Sequence, residues 1–131
     1  MEFHHIGVAC EDMDRERAAF ALLGYAPEGE VFEDPIQGIK GQFLTGPGPR
    51  MELVAPLTDA STTLTGILAQ RIKLYHMAYF TPDMDTGLEA LRAQRGKVVS
   101  APQPAVAFGG RKISTTARSQ PTWRLIFAMS V

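Results

Sequence analysis

With a single cysteine, Cys10, among 131 residues, the chain can form no internal disulfide, and a reducing, cytoplasmic setting is expected. Cys10 ends an apolar run, so it reads as a plain buried thiol rather than a reactive one. No apolar stretch approaches the roughly 20 residues needed to cross a bilayer. The N-terminus carries Glu2 and His4 where a signal peptide would have basic and then apolar residues, so neither membrane insertion nor export is expected. Charge of one sign is lacking too. Thirteen Lys and Arg against fourteen Asp and Glu leave a net charge of −1, and the basic residues are scattered, which argues against a phosphate-neutralising surface and a nucleic-acid partner. What is present is an ordinary globular balance, 45% hydrophobic and 21% charged, enough for a real core. The length suits one domain spanning 1–131 rather than separate catalytic and regulatory domains.

The chain repeats itself. His5-Ile6-Gly7-Val8-Ala9 is a strand-like run, followed seven residues after its histidine by Asp12-Met13-Asp14 and then by a helical stretch closing at Leu22-Leu23-Gly24. His76-Met77-Ala78-Tyr79-Phe80 has Asp83-Met84-Asp85 at the same spacing and a helical Leu88-Glu89-Ala90-Leu91 stretch closing near Gly96. The aspartates suit N-caps and the glycines left-handed helix ends. Strands are predicted at Pro27–Val31, at Gly38–Leu44 and, after the Gly46-Pro47-Gly48-Pro49 turn, at Met51–Ala55. Module one therefore occupies about 1–57 as βαβββ. A Thr-, Ser- and Ala-rich connector over about 58–72, with a helix near Leu64–Gln70, leads to module two at about 73–131. There Lys97–Ser100 and Lys112–Ser114 read as strands around a loop holding Phe108-Gly109-Gly110, a tight turn that leaves Arg111 as a candidate partner for an anionic group. Trp123–Met129 is a weak strand. The fold class is α+β, two tandem βαβββ modules forming a cleft-shaped mixed sheet.

A histidine in the first strand and a carboxylate in the last strand of each module would converge as a pseudo-twofold metal site. His5, Glu52 and His76 fill three such positions; the fourth belongs near Trp123–Leu125, where no carboxylate stands. Imidazole and carboxylate together suit one divalent ion of Zn, Co, Ni, Mn or Fe rather than Ca. Taken singly, each of these side chains is more often structural; their matched places in a repeat make them a set. Adjacent strand residues point to opposite faces, so only one of His4 and His5 can join it, and the register with His76 selects His5.

These residues resemble the glyoxalase, bleomycin-resistance and ring-cleaving dioxygenase superfamily, also called the vicinal oxygen chelate superfamily, and within it proteins of the methylmalonyl-CoA epimerase type. His4-His5-Ile6-Gly7-Val8-Ala9, Asp34-Pro35-Ile36-Gln37-Gly38-Ile39, Met51-Glu52-Leu53-Val54-Ala55-Pro56-Leu57 and Tyr75-His76-Met77-Ala78-Tyr79 carry the likeness. It implies an isomerase or lyase acting on a small acid, thioester or ketone through a metal-stabilised enolate, with Glu52 the only obvious base. The resemblance also implies two further acidic groups that this chain lacks. Gly41 stands near the second base position, and nothing acidic follows Glu89. The likeness ends abruptly after Ser114, which predicts a tail altered by a frameshift or a comparable rearrangement. The alternatives are a metal-free protein that sequesters a drug or metabolite, with Phe43, Tyr79, Phe108 and Trp123 as candidate pocket aromatics, and an Fe(II) ring-cleaving dioxygenase, disfavoured because such relatives are longer. Open strand edges and the superfamily's habits point to a homodimer.

Overall fold

The structure, a computed structural model, describes residues 1–119 and 122–129, with the backbone alone at 118, 119, 122 and 123. Among the described residues, nine strands and three α-helices make a mixed α+β fold. Two compact units are distinguished, one of His5–Tyr75 and one of Met1–His4 with the chain from His76 onward; the division falls inside the first and fifth strands. None of the described helices is long and apolar enough to cross a membrane.

In the His5–Tyr75 unit the elements run β1 (Glu2–Ala9, its first three residues in the other unit), α1 (Met13–Ala21), β2 (Ala26–Asp34), β3 (Ile39–Thr45) and β4 (Met51–Pro56). This is the predicted βαβββ order. The strands lie in the order β2-β3-β4-β1, antiparallel except for β1 with β4, which the α1 crossover makes parallel. Asp12 caps α1, its carboxylate accepting a hydrogen bond from the Arg15 N–H at 3.0 Å. Gly24, at φ +86°, takes the left-handed turn that follows the helix. Alternation along the strands sends Val8, Leu44, Met51, Leu53 and Ala55 to the face covered by α1, where they pack with Met13 and Phe20. On the opposite face, Ala9, Ile39 and Val54 pack under the connector helix α2 (Thr65–Ala69) through Leu64 and Ile67.

Cys10 belongs to the α1-facing cluster and is 1% exposed. Burial, with the nearby Glu16 carboxylate adding to it, pushes its thiol up to about 11. At pH 8 only about a thousandth of it would be ionised, and the thiolate is the reactive form. A thiol reagent at pH 8 is therefore expected to leave the native protein unlabelled and to label it stoichiometrically in denaturant; rapid native labelling would contradict this burial.

The second unit holds β5 (Leu74–Thr81), α3 (Met84–Ala93), β6 (Lys97–Val98), β7 (Gln103–Pro104), β8 (Lys112–Ser119) and β9 (Thr122–Met129), in the order β5-β9-β8-β6 with β7 beside β8. Asp83 caps α3 as predicted, accepting from the Asp85 N–H at 3.1 Å. The left-handed end falls to Arg95, φ +63°, rather than to Gly96. Gly96 is required for space instead, because a Cβ there would stand 2.4 Å from Leu91 Cγ. β7 is a two-residue strand that periodicity does not reveal.

The weak strand expected at Trp123–Met129 is present as β9. β8 continues to Ser119 and β9 follows as its antiparallel partner, running parallel to β5. Ile126, Phe127 and Ala128 are buried, with Phe127 under α3 beside Met84, Leu88 and Leu91 and Ile126 on the other face with Ala78, Phe108 and Ile113. Through Met129 the module therefore has its closing strand.

Candidate metal centre

Glu52 stands on β4 between Met51 and Leu53, which face α1, so its carboxylate enters the opposite face of the half-sheet. In cross-strand register it lies between Phe43 of β3 and Gly7 of β1. His5 is fully buried, and its Nε2 lies 2.9 Å from Glu52 Oε2. The Phe43 ring meets the His5 ring edge to face, with 5.2 Å between centroids, and the Phe32 ring lies 5.9 Å beyond Phe43. An imidazole and a carboxylate are thus paired under an aromatic cover that keeps water from both, an arrangement that strengthens their electrostatic interaction.

His76 stands on β5 at the start of the second unit and is 5% exposed; its strand neighbours Met77 and Tyr75 are less buried. His4 takes no part in the pair: it is half-buried between the rings of Phe80 and Phe108, at 4.7 and 4.8 Å. Among the described residues, His5, Glu52 and His76 are the group of three ligand-type side chains that could hold one metal ion. Two imidazoles and a carboxylate, all buried, are a donor set that fits Zn, Fe, Co, Ni or Mn and leaves coordination positions open for substrate oxygens.

The two parallel strand pairs locate the fourth position more closely than the sequence does. In the first unit Gly7, two residues after His5, pairs with Glu52. In the second, Ala78, two residues after His76, pairs with Ile126. The residue in Glu52's place is therefore Ile126, one position beyond the predicted Trp123–Leu125 window. It is 7% exposed and packs with Ala78, Phe108 and Ile113, so an apolar group stands at the position that corresponds to Glu52.

The position near Gly41 is closed as well. A Cβ on Gly41 would come within 2.5 Å of Phe32 Cζ, so the aromatic ring fills the space of any side chain there. Of the candidate pocket aromatics, Phe43 covers His5, whereas Tyr79 packs toward α3 and against Phe3. Phe108 is buried beside Ile126, and the Trp123 side chain lies outside the described residues. Arg111 is exposed, its guanidinium carbon 5.6 Å from the centre of the Phe80 ring.

A family model for the glyoxalase/bleomycin resistance protein/dioxygenase superfamily matches residues 4–115. The chain belongs to this superfamily. Its fold is shared with a hypothetical protein of Bacillus halodurans at 20% identity and a TM-score of 0.81, over 99% of this chain and 94% of that one. Methylmalonyl-CoA epimerase from Mycobacterium tuberculosis is similar at 22% identity and a TM-score of 0.74, with 96% and 87% covered. Among curated proteins, an ethylmalonyl-CoA/methylmalonyl-CoA epimerase of Cereibacter sphaeroides is 22% identical over 112 residues, 84% of this chain and 83% of the relative. A Streptomyces coelicolor methylmalonyl-CoA epimerase with the same fold is bound to 2-nitronate-propionyl-CoA; its TM-score is 0.75 at 20% identity, covering 100% of this chain and 96% of that one.

Proposed function

We propose that this chain is a metal-dependent isomerase or lyase acting on a small acid, thioester or ketone. The observation that carries the reading is the buried His5–Glu52 pair, 2.9 Å apart, with His76 the third member of the one group among the described residues that could hold an ion. Taking a carboxylate and an imidazole out of water is costly unless something compensates, and a divalent ion bound by His5, Glu52 and His76 would do so. When bound, the ion would supply Lewis acidity to a substrate carbonyl as negative charge develops on its oxygen.

The chain's own residues supply the rest. The second Glu52 oxygen would accept the α-proton and return it, because general-base transfer needs a carboxylate within hydrogen-bond reach of the proton. Before an ion binds, His5 fixes the orientation of that carboxylate, and Phe43 and Phe32 keep water off it. The epimerase relatives are consistent with such proton chemistry. The test is metal-dependent exchange of α-protons in deuterated water, with methylmalonyl-CoA as the first substrate. Glu52→Gln is expected to slow exchange by about 10²- to 10⁴-fold. A native protein loaded in turn with Zn, Co, Ni, Mn and Fe that exchanges nothing would sink the reading for this substrate class.

Ile126 favours a second reading, a protein that binds a metabolite or drug without an ion. An apolar side chain where a ligand carboxylate would stand weakens the metal and enlarges the apolar wall. Tight ligand binding by the protein in excess chelator separates the two.

A further inference from the structure

Resting on the isomerase or lyase reading, we infer that Arg50 is the anchor for a distal carboxylate of the ligand, and that Glu28 holds its place until the ligand arrives. Arg50 precedes Glu52 by two residues, immediately ahead of β4, and the residue between them, Met51, faces α1. Both side chains leave the same face, Arg50 lying over Phe43, the cross-strand neighbour of Glu52, and two extended residues span roughly 7 Å. The Arg50 guanidinium carbon lies 3.8 Å from the centre of the Phe43 ring, the ring whose neighbour is His5. A fixed cation thus stands one aromatic ring away from the His5–Glu52 pair.

The partner of that cation is a carboxylate from the same row. Glu28 pairs in register with Phe43, as Phe43 does with Glu52. Glu28 Oε2 accepts from Arg50 Nε at 2.9 Å, and Oε1 accepts from Nη2 at 2.6 Å. This two-pronged geometry is the one in which guanidinium recognises any free carboxylate. The Glu28 side chain is 42% exposed and that of Arg50 28%, so solvent screens the pair, which is a weak one. Stacking on Phe43 holds the guanidinium plane whether or not Glu28 is engaged. A ligand carboxylate arriving from solvent reproduces both hydrogen bonds and releases Glu28 to water, where an exposed carboxylate is well solvated.

The ligand class follows from the spacing: a short acid with adjacent oxygen functions at the His5–Glu52 end and a carboxylate several bonds away. A matched pair of probes separates the two ends, 2-oxoglutarate and 2-oxopentanoate, which share the oxo-acid head and differ in the distal carboxylate. By calorimetry the native protein is expected to bind 2-oxoglutarate at least about tenfold more tightly than 2-oxopentanoate. R50Q should bring the ratio to about one while leaving 2-oxopentanoate affinity and circular dichroism unchanged. R50K, which keeps the charge but not the fork, should fall between. E28Q should tighten 2-oxoglutarate alone, by about two- to fivefold, because it removes the competitor.

An equal affinity for the two probes in the native protein, no binding of either, or a ratio that survives R50Q overturns the assignment of Arg50. An E28Q protein no tighter for 2-oxoglutarate overturns the exchange with Glu28. Metal content measured on the same samples judges the catalytic reading separately. An ion-free native protein that keeps the tenfold ratio retains the Arg50 anchor and loses the metal chemistry; an ion-bearing protein with no ratio does the reverse.

Discussion

The His5→Ala, His76→Ala double variant is expected to retain no divalent ion after loading and dialysis, where the native chain retains about one. Each substitution removes a buried imidazole from a set of three donors, and one carboxylate alone does not hold a transition metal against dialysis. The loss should also be visible in stability. A ligand that binds only the folded state stabilises it by about 2.7 kcal/mol at a free concentration a hundred times its dissociation constant. Added Zn or Ni should therefore raise the unfolding temperature of the native chain by several degrees and leave that of the variant unmoved. Equal retention by the two proteins would place the ion elsewhere and remove the foundation of the proposed chemistry.

Ile126→Glu should have the opposite effect on the metal and a large effect on the fold. Without an ion, the new carboxylate sits among Ala78, Phe108 and Ile113, and burying it unpaired should cost roughly 3 kcal/mol, lowering the unfolding temperature by about 10 °C. With an ion present the same carboxylate has a partner. By the register of β5 with β9 it stands where Glu52 stands relative to β1, so metal affinity should rise at least about tenfold and most of the lost stability should return. A variant that is destabilised equally with and without metal would show that position 126 does not belong to the centre.

Much of the architecture was legible because two signals agreed. His5 and His76 each precede a capping aspartate by seven residues, and the apolar residues between them are spaced as strand and then helix. The parts that escaped notice have physical reasons. β2 extends through Asp34, well past Val31, but most of it is exposed, and a strand with little buried surface shows little alternation. As well as Ile113, β8 buries Ser114 and Thr116. Their hydroxyls donate to the Ser100 and Leu125 carbonyls at 2.8 and 3.1 Å, so the polar letters concealed an inward-facing row and made the tail look like a broken pattern. In the candidate site, Glu52, His5 and His76 could be proposed from the repeat. Arg50 was missed, although its place two residues before Glu52, just ahead of an alternating strand, was the available signal. Ile126 needed the strand register, because a missing carboxylate leaves nothing in the sequence to align.

The outermost strand of the first half-sheet also bears on how this protein behaves in concentrated solution. β2 carries Glu28, Glu30 and Glu33 along its exposed length, and its pairing with β3 breaks register between Glu28 and Phe32, where Gly29 turns at φ +74°. An unbroken, uncharged edge would offer its amide and carbonyl groups to any unfolded neighbour as a template for cross-chain strand addition. Here like charges and a bulge oppose that templating, so the segment that packs least against its own core is also a poor seed for aggregation. Neutralising those glutamates would trade solubility for nothing the fold requires.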